Sequence, residues 1–308
     1  MKGLNNLGNT CYLNVALQCL LYAPPLVNYV LAGLADADLH KKRINACALA
    51  GEIVSLTKAY WTDQEPAVLD TRPVWTALCK LHKPFANGQP HDAHEALALL
   101  LKHLHDALAK TPRVQGSVAS QHVVAEPWEA RFAKDGYSMI TEIFEGQLEC
   151  TVSDDRGQYR STTYEHFSGL SVPLDECSTV SQAVARHLAP VEIEDFAVPG
   201  GARARVTQTK RLVYAPLVLV VHLKRFDGRG QKVDRFIDYS TSLDLGEHGP
   251  GGGAYELYAA VMHRDGHYVA VCEVHGRWFL LDDAAVTPLE VNSVVHKDAY
   301  LLLYKKKL

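Results

Sequence analysis

The sequence predicts an α+β fold that forms one cooperative unit, on three observations. Apolar residues recur at helical spacing through the first third of the chain. From about Gly146 onward, short apolar and β-branched runs alternate with turn residues. No internal repeat and no long linker divides the 308 residues, which supply ample material for a core.

The helical part begins with Tyr12 to Leu21, apolar almost all round and therefore expected as a buried central helix, stopped by Pro24-Pro25. Asn45 to Trp61 and Arg72 to Leu81 carry the same spacing. Pro90 opens a further helix in which Ala93, Leu97, Leu100, Leu101, Leu104 and Leu108 share one face, with Asp92 and Glu95 on the polar side of its first turn, where carboxylates complement the helix dipole. Thr111 to Ala125 is small and polar, a surface loop, and Trp128 to Phe144 is helical again.

The strand part opens with Gln147–Val152 and Gln158–Thr163, a hairpin across Ser-Asp-Asp-Arg-Gly. Phe167–Leu174 is a strand and Val180–Leu188 a helix. Leu217–Leu223 is a continuous apolar run, hence a strand covered on both faces. Strands are expected at Lys232–Ile237, Tyr255–Met262, Tyr268–Val274, Trp278–Leu281 and Ala299–Tyr304. Gly246 to Gly253 is expected to be a flexible insertion, since no helix start follows to make it a phosphate cradle.

Composition excludes several functions. A net charge of -4 argues against nucleic acid or a membrane surface as the main partner, and Lys305-Lys306-Lys307 is too short to change that. No apolar run reaches the ~20 residues of a membrane span. The polar first residues lead straight into a cysteine-containing stretch, so no secretory signal is expected. The seven cysteines are odd in number, scattered and without a Cys-x-x-Cys pair. That pattern fits a reducing, intracellular setting, cytoplasmic or nuclear, and disfavours both a disulfide framework and a cysteine-built zinc site. The histidines are dispersed, and His91 to Glu95 lacks zincin spacing.

Chemistry concentrates in Gly3 to Asn14, where Cys11 stands at the junction of a glycine-containing turn and the central helix. Unpaired N–H groups and the positive dipole end at a helix start favour thiolate over thiol. Asn6 is expected to return across the Gly8 turn, so that its amide and a backbone N–H form an oxyanion hole. A thiol nucleophile needs a base, and the base an orienting partner. His267 opens one predicted strand and Asp282 ends the next, so a hairpin sets them side by side, a papain-like order of Cys, His and Asp.

These residues resemble the ubiquitin-specific protease family of deubiquitinating cysteine proteases. The likeness begins with Gly3-Leu4-Asn5-Asn6-Leu7-Gly8-Asn9-Thr10-Cys11-Tyr12-Leu13-Asn14 and continues through Asp92-Ala93-His94-Glu95, Phe144 to Leu148, Phe167 to Ser171 and His222-Leu223-Lys224-Arg225-Phe226. It closes with Gly266-His267-Tyr268, Asp282-Asp283 and Ala299 to Tyr304, in family order over essentially the whole chain. The resemblance implies a single papain-like domain shaped as a right hand, with a thumb at about 1–145, fingers at about 146–211 and a palm at about 212–308. It implies Cys11 as nucleophile, His267 as general base and acid, Asp282 as its orienter, Asn6 as oxyanion donor and Asp283 as an assisting acid. It places Asp92, Glu95, Gly266 and Tyr268 on the substrate side, with Asp92 facing an arginine of the ubiquitin tail and Tyr268 flanking the channel for its last glycines.

The implied activity is hydrolysis of the isopeptide or peptide bond after the C-terminal glycine of ubiquitin, by a monomer that acts on ubiquitin and ubiquitinated proteins without a cofactor. A protease for another ubiquitin-like modifier, or a ubiquitin-binding scaffold without catalysis, is the alternative. The family's fingertip zinc is expected to be absent, because the matching positions are Ser153, Arg156, Phe196 and Pro199. Pro90 stands where the family commonly has glutamine, and the short run from His263 to His267 leaves little loop to move before the catalytic histidine.

Overall fold

The computed structural model describes residues 1–39, 44–62, 66–110, 136–199, 203–226 and 232–307. Helix α1 (Cys11–Leu21) is buried on every side, as its near-continuous apolar sequence requires. Pro24-Pro25 ends it and also opens α2 (Pro24–Leu31), since proline is well suited to the first helical turn. A short α3 (Leu34–Asp38) follows, and α4 (Ile44–Thr62), α5 (Arg72–Leu81) and α6 (Ala93–Leu108) lie where the apolar spacing puts them. Asp92 caps α6 by accepting a hydrogen bond from the Glu95 N–H at 2.9 Å. Residues 111–125 and 128–135, expected as a loop and a helix start, lie outside the described residues; the end of that helix is α7 (Met139–Phe144), opened by a reciprocal Ser138–Thr141 cap.

The strands form three sheets. Strands β1 (Gly3–Leu4) and β2 (Val68–Leu69) make a small parallel pair. Strands β3 (Gly146–Asp154), β4 (Arg160–Phe167), β6 (Val191–Ala197) and β7 (Arg203–Tyr214) make a four-stranded antiparallel sheet in the order β4-β3-β7-β6. The third sheet has eight strands: β5 (Leu170–Val172), β8 (Val218–Leu223), β9 (Ser242–Asp244), β10 (Ala254–Arg264), β11 (His267–Val274), β12 (Arg277–Asp282), β13 (Ala285–Leu289) and β14 (Ala299–Lys306). Its order is β13-β12-β11-β10-β14-β8-β5, with β9 on β10. Alternate residues face opposite cores. Val218, Val220, Val261 and Leu301 pack toward the helices, whereas Leu219, Val221, Ala260 and Leu302 pack against α8 (Val180–Leu188) and Leu243. Helix α1 sits between α6 and β11, so the buried central helix touches the strand that carries His267.

Three expectations change. Leu170–Val172, within the range expected for the fingers, instead joins the large sheet beside β8. Lys232–Ile237 is not a strand beyond an isolated bridge at Lys232: the fully buried Arg225 takes the Val233 and Arg235 carbonyls at 3.1 and 2.6 Å, bonds that a ladder would need. Gly246–Gly253 is seated rather than flexible. The Gly251 N–H donates to the Leu212 carbonyl at 3.1 Å, and a Cβ there would lie 2.3 Å from the Val213 carbonyl carbon. Glycine is required for this close approach to β7, not for mobility.

Candidate active site

Strand β1 brings the first residues to the far end of the large sheet. The Leu4 N–H donates to the Asp283 carbonyl at 2.8 Å, and a Cβ on Gly3 would meet the Ala284 oxygen at 2.1 Å, so only glycine lets the strands run this close. The chain then turns at Gly8 and Asn9, both at positive φ (96° and 54°). The Asn6 Oδ1 fastens this turn by accepting from the Gly8 N–H at 2.9 Å, the Thr10 N–H at 3.2 Å and the Thr10 hydroxyl at 3.2 Å. Its Nδ2 donates to Asp283 Oδ2 at 2.7 Å.

Cys11 follows as the first residue of α1 and is buried. Burial pushes its thiol up, against the depression expected from its place at the helix start. The backbone N–H groups of Tyr268, Tyr12 and Cys11 itself favour the thiolate, as a helix start should, but desolvation and the Asp283 charge outweigh them. The resting group is therefore a thiol, and an external base must take its proton.

The candidate base is placed by a hairpin. His267 opens β11 and Asp282 closes β12, and His267 Nε2 and Asp282 Oδ1 are 2.8 Å apart. Asp283 Oδ2 lies 4.0 Å from the same nitrogen. No hydrogen bond joins His267 to Cys11 among the described residues; the imidazole Nδ1 is the atom left to face the thiol, whose neighbour in β11 is the Tyr268 N–H.

Asp283 is the hub of the arrangement. It sits at φ 50°, a conformation uncommon without local support. Its carboxylate accepts from Asn6 on one oxygen and from Asn14 Nδ2 on the other, at 2.7 Å each. Asn14 escaped sequence reasoning, although a signal existed: with Gln18 it is one of two polar amide residues inside a largely apolar helix, and it is fully buried.

The residues expected on the substrate side lie at the start of α6 and around the start of β11. Asp92 is partly exposed, with Oδ1 on the Glu95 N–H and Oδ2 accepting from the Tyr300 hydroxyl. Tyr300 gave no sequence signal, since it reads as a strand residue. Tyr268 is buried and stacked on His263 with ring centroids 4.3 Å apart. Behind Asp92, His94 stacks on His222 at 4.1 Å, and burial together with His94 drops the His222 imidazole to about 4, so it is neutral at pH 7. Glu95 and Gly266 are exposed, and Gly266 supplies the positive φ of 79° in the turn before His267.

The positions matched to the family's fingertip metal ligands do not suit a metal. Ser153, Arg156, Phe196 and Pro199 offer no thiolate or imidazole. In that region Asp154 Oδ1 accepts from the Gln158 and Tyr159 N–H groups, Tyr159 packs on Phe196, and Arg203 pairs with Asp195 at 2.8 Å.

Residues 2–304 match the ubiquitin carboxyl-terminal hydrolase family. The chain belongs to that family. It is 31% identical to ubiquitin carboxyl-terminal hydrolase 17-like protein B of Mus musculus, over 98% of this chain and 63% of that protein. It is 32% identical to 17-like protein D of the same species, over 98% and 54%. With ubiquitin carboxyl-terminal hydrolase 23 of Arabidopsis thaliana it shares 30% identity, over 98% and 35%. The chain thus spans 63% or less of the length of these relatives. Among solved structures it is similar to the SAGA Ubp8/Sgf11/Sus1/Sgf73 DUB module bound to monoubiquitin, with a TM-score of 0.83 at 22% identity, covering 100% of this chain and 69% of that one. The module bound to ubiquitin aldehyde gives 0.82 at 21%, covering 100% and 70%. The fold is the papain-like α+β fold of this hydrolase family, with its helical thumb, sheet palm and hairpin fingers.

Proposed function

We propose that this chain is a deubiquitinating thiol protease that hydrolyses the isopeptide or peptide bond after the C-terminal glycine of ubiquitin. The observation that carries the reading is the convergence of Asn6 and Asn14 on Asp283, which seats the Cys11 turn beside the His267–Asp282 pair. In this reading His267 Nδ1 takes the Cys11 proton and the thiolate attacks the glycine carbonyl carbon. The negative charge moves to the carbonyl oxygen. An amide carries two N–H donors, so Asn6 has one for Asp283 and one for that oxyanion, beside the Cys11 backbone N–H. The bond to nitrogen then breaks, His267 protonates the departing amine, and the same imidazole activates water to hydrolyse the thioester. Asp282 holds the ring and stabilises its protonated form.

Asp92, held by Tyr300, is a carboxylate beside the cleft suited to an arginine in the tail, which favours ubiquitin over modifiers lacking one. The reading includes a monomer without metal or cofactor, in a reducing cytoplasmic or nuclear setting, with neither nucleic acid nor membrane as partner. Among the described residues no disulfide joins two cysteines, which suits such a setting.

Labelling with ubiquitin vinyl sulfone, followed by mapping of the modified peptide, tests the assignment. One adduct on Cys11, lost in Cys11→Ala, is expected. An adduct formed only with another modifier's probe would transfer the substrate, and no adduct under reducing conditions would sink the enzymatic reading.

A further inference from the structure

A buried carboxylate that this mechanism does not use lies behind the catalytic hairpin. Asp298 is 8% exposed. Its Oδ2 stands 3.4 Å from Arg264 Nε and its Oδ1 3.6 Å from Lys232 Nζ. His296 adjoins it, with Nδ1 3.2 Å from the Asp298 nitrogen and 3.3 Å from Oδ2, and burial lowers that imidazole's pKa against the pull of the Asp298 charge. Arg225 contributes further positive charge nearby. The Arg264 Nε is buried and has no hydrogen bond, which leaves the Asp298 charge as its counterpart.

What this cluster holds is the strand end next to His267. Arg264 pairs directly with His267, and His263 with Tyr268, across a two-residue turn formed by Asp265 and Gly266 at φ 47° and 79°. No slack separates the clamp from the catalytic ring. The His263 N–H donates to the Asp298 carbonyl at 2.9 Å, and Lys232 Nζ donates to the His263 carbonyl at 2.8 Å. On its other side His267 meets Asp282 at 2.8 Å and Asp283 at 4.0 Å, and the His267 and Asp282 side chains are over two fifths exposed (41% and 49%). Such an exposed pair fixes geometry weakly. The backbone that carries the ring therefore shares with Asp282 in setting where it points.

We infer that Asp298, acting through Arg264, is a positioning residue for His267: it anchors the hairpin so that the imidazole faces Cys11. The inference rests on the proposed thiol-protease reading for its consequence in turnover. A role confined to neutralising buried cations would stabilise the fold without touching the ring.

Full-length Asp298→Asn and Arg264→Ala, singly and together, separate the two. With ubiquitin-amidomethylcoumarin, each single variant should lower kcat roughly tenfold while KM stays within about twofold, short of the ~100-fold that a 1 Å misplacement can cost. The double variant should be no slower than either single one, because both break the same link. Asp298→Glu, which keeps the charge, should recover most of the loss and covers the case in which Asp298→Asn folds poorly. The His267 Hε1–Cε1 NMR signal should shift or broaden in both single variants. A lower melting point with kcat and the His267 signal unchanged, losses that multiply in the double variant, or a rise in KM at constant kcat would each overturn the inference. If the unaltered chain does not cleave the substrate, the enzymatic reading fails, and the His267 signal still decides the structural claim.

Discussion

The cleft and the fingers are held together by different means. At the cleft, Asn6, Asn14 and Asp283 are bound to one another and to backbone, and Cys11, Asn14 and Tyr268 are buried. In the fingers, no residue of β4 or β6 is fully buried, and the cross-strand pairs Arg203–Asp195 and Arg205–Glu192 lie in water with side chains more than half exposed. Ladder hydrogen bonds and the Asp154 turn carry the fingers, and side-chain identity there is loosely constrained. The cleft has no such latitude, because removing one partner strands another buried polar group.

The sharpest way to break this comparison is Asn6→Ala. It removes an oxyanion donor and the lock on the Gly8 turn, so kcat should fall ~10²–10³-fold with KM little changed, as seen by steady-state hydrolysis of a ubiquitin fluorogenic substrate. A loss under tenfold would mean that the cleft is as tolerant as the fingers.

Acid should act next. His222 titrates at 6.5 when unfolded but near about 4 when folded, so below pH 6.5 the unfolded chain binds a proton that the native one refuses. Its contribution, on the order of 3 kcal/mol at most, is present above pH 6.5 and is lost as pH falls toward 4. Burial pushes His94 and His263, in the same cleft wall, in the same direction. Urea midpoints at pH 7.0 and 4.5 should differ accordingly, with β8 amides losing exchange protection before those of β7. The smallest effect expected is that of Arg205→Ala, which should leave both the melting point and kcat within error. A measurable loss would show that the fingers rely on side chains after all.

Much of this was legible from residue types and spacing. Cys11 at a helix start, and His267 and Asp282 on adjacent strands, follow from local pattern, and so do the helices that bury an apolar face. What escaped depends on tertiary placement. Asp283 entered only as an assisting acid implied by the resemblance, and its place as the hub for Asn6 and Asn14 comes from the fold. The direction of the Cys11 shift was missed because desolvation is set by the whole thumb and sheet, while the helix start is local. Gly246–Gly253 misled because close approach and mobility both call for glycine, and only β7 decides between them. Arg225 has no sequence signature that says which carbonyls it will claim from Lys232–Ile237.

The contacts between Asn6 and Asp283 span 277 positions, and those between Asn14 and Asp283 span 269. During synthesis Cys11 therefore emerges well before His267, Asp282 and Asp283. Closure over such a distance comes late in folding. A nascent chain that has passed Cys11 but not yet Asp283 lacks the partners that seat the Cys11 turn, so on the proposed reading activity waits for this long-range closure.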